Sequence, residues 1–216
     1  GYTNNATILI GNYLDYYDSA GAFSYQPGKP ASTASTSSAG DLWLNLASVD
    51  PKQVSEGSYS FFAIMHELGH TLGLSHPGDY NAGRTAITYA NNAQFLQDSQ
   101  QYTVMSYFEG SVTGSSPGGF ASASSLLLYD IYALQQLYGA NTTTRATDTV
   151  YGFGSNAGPS YTFQSNCAPY LCIWDGGGLD TLDASGYTQA QIINLNPGCF
   201  SNLGGGSNNV SIALNR

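Results

Sequence analysis

All three histidines of the chain fall within eleven residues, in the run His66-Glu67-Leu68-Gly69-His70-Thr71-Leu72-Gly73-Leu74-Ser75-His76. Helical positions four apart lie on one face about a turn apart, so His66 and His70 offer two imidazoles to a single metal ion. Glu67 is rotated off that line and is placed to take a proton from a water at the metal without being a ligand. Gly73 can take positive φ, end the helix and fold the chain back, which delivers His76 as a third ligand. Three neutral imidazoles with no cysteine nearby leave a fourth position open. That is the donor set of a catalytic rather than a structural Zn²⁺. H-E-x-x-H alone recurs by chance, but Gly73 and His76 at fixed offsets, in a chain with no other histidine, argue against coincidence.

Periodicity shows which elements must hold these groups. Phe62, Met65, Leu68 and Leu72 recur at three- and four-residue spacing, which predicts a helix over about 58–72. A second helix is predicted over about 124–138, stopped by Gly139. Upstream, residues 6–10 read as an apolar strand stopped by Gly11-Asn12, and 27–40 as a surface loop rich in Ser, Thr, Ala and Gly. Residues 41–46 read as a half-exposed strand, because Leu42, Leu44 and Leu46 alternate with Asp41, Trp43 and Asn45. The long Gly- and Ser-rich stretch 77–122 between the helices is expected to line a site. Beyond Gly139 come short strand-prone pieces such as 149–152, 173–175 and 210–213, and residues 176–182 approximate one copy of the Gly/Asp nonapeptide of calcium-binding β-rolls.

Composition narrows the function classes. The chain has 216 residues, 42% hydrophobic, 13% aromatic and only 9% charged, enough apolar material for one domain with a small appendage and too little charge for a wholly disordered chain. The net charge is −9, and the five cations are scattered at Lys29, Lys52, Arg84, Arg145 and Arg216. Without a basic patch, nucleic acid and anionic membrane surfaces are poor partners, and no run of 18 apolar residues suggests a membrane span. Scarce Lys, a low pI and abundant Gly, Ser, Asn and Tyr resemble secreted proteins. Cys167, Cys172 and Cys199 fit no common zinc module. Cys167 and Cys172 bracket a turn that suits a local disulfide in an oxidising compartment; equally, all three cysteines can be small buried side chains. Three sequons begin at Asn5, Asn141 and Asn209.

The histidine run followed by Tyr102-Thr103-Val104-Met105-Ser106-Tyr107 resembles the metzincin signature with its methionine turn. His76-Pro77-Gly78-Asp79-Tyr80-Asn81-Ala82-Gly83, Leu137-Tyr138-Gly139-Ala140-Asn141 and Asp148-Thr149-Val150-Tyr151-Gly152-Phe153 narrow the resemblance to the serralysin branch, over about residues 6–210. The resemblance implies an α+β metzincin catalytic fold over 1–140, a twisted sheet with an active-site helix and a C-terminal helix. Over 141–216 it implies the start of a β-roll-like, calcium-binding segment, with both ends of the protein cut short. An upstream segment or a partner chain would then complete the sheet.

The same resemblance assigns roles. His66, His70 and His76 would ligate Zn²⁺, with Glu67 as general base. Tyr107 would be a displaceable extra ligand that swings away to donate to the oxyanion, and Met105 a hydrophobic floor under the metal. Residues 41–46 would be the edge strand beside the cleft, where an extended peptide adds against Leu42, Trp43 and Leu44. For Ca²⁺ it implies carbonyls of Arg145, Thr147 and Gly177 and side-chain oxygens of Thr149, Asp175 and Asp180, with a second site sharing Gly178 and Asp180. Plain turn chemistry is the other explanation for those residues. The function implied is a secreted zinc endopeptidase hydrolysing internal peptide bonds of proteins. A non-catalytic zinc- and calcium-binding module is the alternative, and the intact Glu67 favours the enzyme, since metal binding alone needs only the histidines.

Overall fold

The computed structural model describes residues 8–18, 20–28, 38–82, 86–118 and 122–214, and its architecture is mixed α and β. Strand β1 (Ile10–Tyr13) runs through Gly11-Asn12 instead of stopping there; most of the expected strand 6–10 lies outside the described residues. The reason is packing. β1 pairs in parallel with β3 (Leu42–Asn45), Gly11 opposite Trp43, and a Cβ on Gly11 would stand 2.7 Å from the indole ring. Here glycine is a bed for a large ring rather than a strand stop.

β2 (Ala22–Ser24) pairs antiparallel with the other side of β3, Phe23 opposite Trp43, so the strand order is β1-β3-β2. Leu42–Asn45 is therefore the middle strand, which corrects the expectation that 41–46 is an edge beside the cleft. Leu42 and Leu44 are buried with Val49 and Ala63 under the first helix, and Trp43 stacks on Phe23 on the opposite face. Asn45 breaks the alternation because its buried amide donates to Asp15 O at 2.8 Å and Ala20 O at 3.2 Å, pinning the β1–β2 connection. Among the described residues, the open edge next to that helix belongs to β2.

Helix α1 (Tyr59–Thr71) starts at Ser58, whose Oγ accepts from Phe61 N at 3.2 Å. It stops as its sequence predicts. Gly73 sits at φ 93°, Leu74 N donates to Gly69 O and Gly73 N to His70 O, each at 2.9 Å, the reversed turn that closes a helix on a glycine. The 77–122 stretch holds a single-turn helix α2 (Tyr89–Asn92) and a 3₁₀ turn at Gly110–Thr113. Helix α3 (Leu128–Tyr138) begins later than residue 124, because the serines before it are engaged elsewhere: Ser124 N donates to Tyr170 O at 2.8 Å and Ser125 Oγ accepts from Cys172 N at 2.9 Å.

Beyond α3, β4 (Val150–Gly152) pairs in parallel with β6 (Thr181–Asp183). β5 (Leu171–Ile173), β8 (Val210–Ile212) and β7 (Phe200–Ser201) form a second small sheet in the order β5-β8-β7. One core gathers Phe62, Leu74, Val104, Met105 and Leu127, and a separate one Tyr151, Phe163, Leu171, Tyr187 and Val210. The cysteines are all free, so the Cys167–Cys172 bridge is not formed. Cys172 lies within β5 and packs on Leu128 and Ala213, one of the small buried side chains that composition allowed. Of the sequons, Asn5 lies outside the described residues. Asn209 is buried, its amide donating to Pro169 O and Leu203 O, which leaves no room for a glycan.

Candidate metal centre and catalytic cleft

His66 Nε2 and His70 Nε2 each lie 3.1 Å from His76 Nε2. A tetrahedral Zn²⁺ with Zn–N bonds of about 2.0–2.1 Å sets its ligand atoms roughly 3.3 Å apart. Those two separations fit that ion, and all three ligand atoms lie within 4.8 Å of one another. Each Nδ1 is already committed to a carbonyl, which can only accept: His66 to Val104 O at 2.7 Å, His70 to Leu74 O at 2.8 Å and His76 to Tyr80 O at 2.9 Å. The proton is thus held at Nδ1 and the lone pair at Nε2 on all three rings, the tautomer that ligation needs. Burial pushes His66 down to about 3 and His76 down to about 4, the neighbouring histidines adding to the effect, so both are neutral near pH 7. Among the described residues this trio is the only group of three or more His, Cys, Asp or Glu side chains close enough to share an ion.

The carbonyls that orient these rings are themselves clamped by acids that spacing did not single out. Asp130, fully buried near the start of α3, accepts from Thr103 Oγ1 at 2.5 Å, Val104 N at 2.8 Å and Leu127 N at 2.9 Å. Burial raises it to about 6 in spite of those three donors. Asp98 does the same for the other loop, accepting from Tyr80 Oη and Ser106 Oγ, each at 2.8 Å, while the Tyr80 ring stacks on His76. The only local signal was Asp130 near a helix start, where a carboxylate caps backbone N–H groups.

Met105 is buried, and a Cβ on Gly69 would stand 2.5 Å from its Sδ, so the glycine between the two helical histidines lets the methionine close on α1 from beneath. The Tyr107 ring lies 4.6 Å from His76 and 5.9 Å from His66, with its hydroxyl 3.5 Å from Asn81 Oδ1. Glu67 is buried beside the trio, and burial pushes its carboxyl up against the opposing pull of Ser24. Ser24 Oγ donates to Glu67 Oε2 at 2.6 Å, a contact between residues 43 positions apart that no motif signals. Glu67 separates two clefts. One of about 560 Å³ is bounded by Ser24, His70, His76 and Tyr107; the other, of about 410 Å³, by Tyr59, Phe62, His66 and Gln100. Trp43 lines neither, and Leu42 and Leu44 are under the sheet.

The oxygen-rich residues meet across β4 and β6. A Cβ on Gly178 would stand 2.7 Å from Thr147 O, and Asp180 Oδ1 accepts from Thr149 N at 3.1 Å. Asp175 Oδ1 accepts from Gly177 N at 2.8 Å, its Oδ2 from Tyr151 Oη at 2.5 Å, and the Thr149 hydroxyl donates to Thr147 O at 2.8 Å. Arg145 has a positive φ of 49°, and its guanidinium lies over Tyr161 and donates to Tyr151 Oη and Trp174 O. Carbonyls and carboxylates pressed together this way suit a hard, oxygen-seeking cation such as Ca²⁺. Their internal hydrogen bonds are also those of ordinary Asx turns.

Comparisons with known proteins extend over both regions of the chain. The family described as Peptidase M10 serralysin C terminal matches residues 140–216. "Metallopeptidase AprA" of Pseudomonas marginalis is 49% identical over 212 residues, 95% of this chain and 43% of the relative. "Serralysin B" of Dickeya chrysanthemi is 47% identical over 81% of this chain and 36% of its own length, and "Serralysin" of Proteus mirabilis 52% identical over 74% and 32%. By these matches the chain is similar to proteins named as metalloproteases. Within that class it is serralysin-like, and it spans less than half the length of the relatives it matches. Among the described residues, no helix is long and apolar enough to cross a membrane.

Proposed function

We propose that the chain carries the catalytic site of a secreted zinc-dependent endopeptidase that hydrolyses internal peptide bonds of proteins. The carrying observation is the triangle of Nε2 atoms with Glu67 buried alongside. The β1–β3 sheet, α1 and α3 are read as a metzincin-type catalytic unit over 1–140, followed by the start of a β-roll over 141–216. When bound, Zn²⁺ supplies Lewis acidity, activating a water and polarising the scissile carbonyl. His66, His70 and His76 hold it. Glu67 takes the proton of the attacking water and returns it to the leaving amine, and Tyr107 donates to the oxyanion from beside His76. Met105 supports the helix below.

An extended substrate adds to the β2 edge rather than to 41–46, since that edge is open and borders the larger cleft. Ca²⁺, held by Arg145, Thr147, Thr149, Asp175, Gly177, Gly178 and Asp180, has a structural role in tying β4 to β6. Secretion fits the serralysin likeness and the acidic, lysine-poor composition. Exposed Ile10 on β1 and Leu14 just beyond it are where an upstream segment or partner chain would complete the sheet.

The test is hydrolysis of casein and of peptides by the chain, by Glu67→Ala, and after chelation with zinc restored. Activity lost on chelation, regained with zinc and absent in Glu67→Ala supports the proposal. A fully zinc-loaded but inactive chain points instead to a metal-binding module, and activity surviving Glu67→Ala overturns the assigned base.

A further inference from the structure

Ser24 stands at the junction of two parts of the cleft that are usually considered separately. Its hydroxyl lies 2.6 Å from Glu67 Oε2 and 3.0 Å from Glu67 O. One hydroxyl proton serves one acceptor at a time, and the shorter of the two contacts is the one to the carboxylate. Its backbone belongs to the sheet edge. Tyr25 N donates to Asp41 O and Asn45 N to Gly21 O, so Gly21, Phe23 and Tyr25 turn their polar groups toward β3. Antiparallel alternation then turns those of Ala22 and Ser24 toward the open edge. Among the described residues no strand pairs there. The neighbouring side chains sort accordingly: Ala22 packs against the cluster of Leu42, Leu44, Val49 and Ala63, while Phe23 stacks with Trp43 on the far face.

We propose that Ser24 is a positioning residue that couples a peptide seated on the β2 edge to the alignment of Glu67. The proposal rests on the function given above. A substrate strand that hydrogen-bonds to Ala22 and Ser24 fixes the Ser24 backbone, and through it the hydroxyl that holds Oε2. Proton abstraction then falls to the other oxygen of a carboxylate already locked in one rotamer. Nothing in Ser24 touches the reacting atoms, so its effect belongs in turnover rather than in binding.

The experiment compares kcat and KM for the wild type, Ser24→Ala and Ser24→Thr at equal zinc content, and measures melting of Ser24→Ala in the wild-type and Glu67→Ala backgrounds. Loss of a hydrogen bond to a charged group predicts a fall in kcat of about tenfold or more for Ser24→Ala, with KM within about twofold. Ser24→Thr, which keeps the hydroxyl on a strand-compatible side chain, restores kcat to within about threefold of the wild type. Ser24→Ala lowers Tm by about 2–4 °C when Glu67 is present and leaves it unchanged in Glu67→Ala, because only coupled residues depart from additivity. An unchanged kcat in Ser24→Ala overturns the proposal. So does a loss that Ser24→Thr does not repair, or melting shifts that simply add. An inactive zinc-loaded wild type overturns the proposed activity instead, and the melting cycle still decides whether Ser24 and Glu67 are coupled.

Discussion

The nitrogen site and the oxygen site of this chain are built on opposite plans. At the histidine trio, three side chains from one helix and the loop after it converge, the Nε2 atoms of His66 and His70 each 3.1 Å from that of His76, while each Nδ1 is spent on a carbonyl. Lone pairs so placed have nothing to gain from one another. The 145–180 site gathers oxygens from two loops, and both carboxylate oxygens of Asp175 already accept protein hydrogen bonds. Those oxygens already serve a turn and the Tyr151 hydroxyl. Three lone pairs aimed at one point are a stronger sign of a metal than oxygens shared in this way, and the two sites should respond differently to chelation and to substitution.

The largest expected effect is on the nitrogen side. Glu67→Ala should lower kcat by about 10²–10⁴-fold with zinc still bound, checked by peptide hydrolysis alongside metal content, because it removes the base and no ligand. The next concerns the acids behind the rings. Asp130→Ala leaves Thr103 Oγ1, Val104 N and Leu127 N without their buried acceptor. It should cost about 3 kcal/mol of stability by denaturant unfolding and weaken zinc about 10–100-fold in competition with a chelator, since Val104 O orients His66.

Acid should divide the two sites further. In the metal-free chain, His66 and His76 have folded values of about 3 and about 4, below the ordinary 6.5. Folding therefore favours their neutral forms. The stability they contribute is present above about pH 6.5 and is lost as pH falls toward about 4 and then about 3. Melting against pH should show this slope, and it should flatten when both residues are replaced by Leu. The smallest effect is expected from Asp180→Asn, which keeps an acceptor for Thr149 N. Calcium-dependent protection against heating should shrink by a few degrees while zinc content and kcat stay unchanged.

The same contrast explains what was legible in the chain. The histidine run, Glu67 and the ends of α1 could be read directly because spacing and the cap at Ser58 and Gly73 are local properties. The Leu42 and Leu44 alternation correctly marked a buried face. Alternation says which side chains share a face and nothing about which strands flank them; the open edge that the family resemblance implies at 41–46 belongs to β2. β2 itself is three residues long and carries no periodic signal. Ser24 and Asp98 were silent, and Asp130 offered only its place near a helix start, for a related reason: each acts through a partner made adjacent by the tertiary fold. Ser124 and Ser125 fit a helical pattern, but their backbone and hydroxyl groups find partners on Tyr170 and Cys172. Cys167 and Cys172 are close in sequence, but Cys172 is buried against Leu128 and Ala213 and both thiols are free.

X-ray absorption on the zinc-loaded chain tests most directly whether the three imidazoles share one ion. One zinc per chain, with three nitrogen ligands at about 2.0–2.1 Å and the remaining coordination from oxygen, is the expected spectrum. Sulfur in the coordination sphere, fewer than three imidazoles, or zinc binding that survives His76→Ala undiminished would contradict the account.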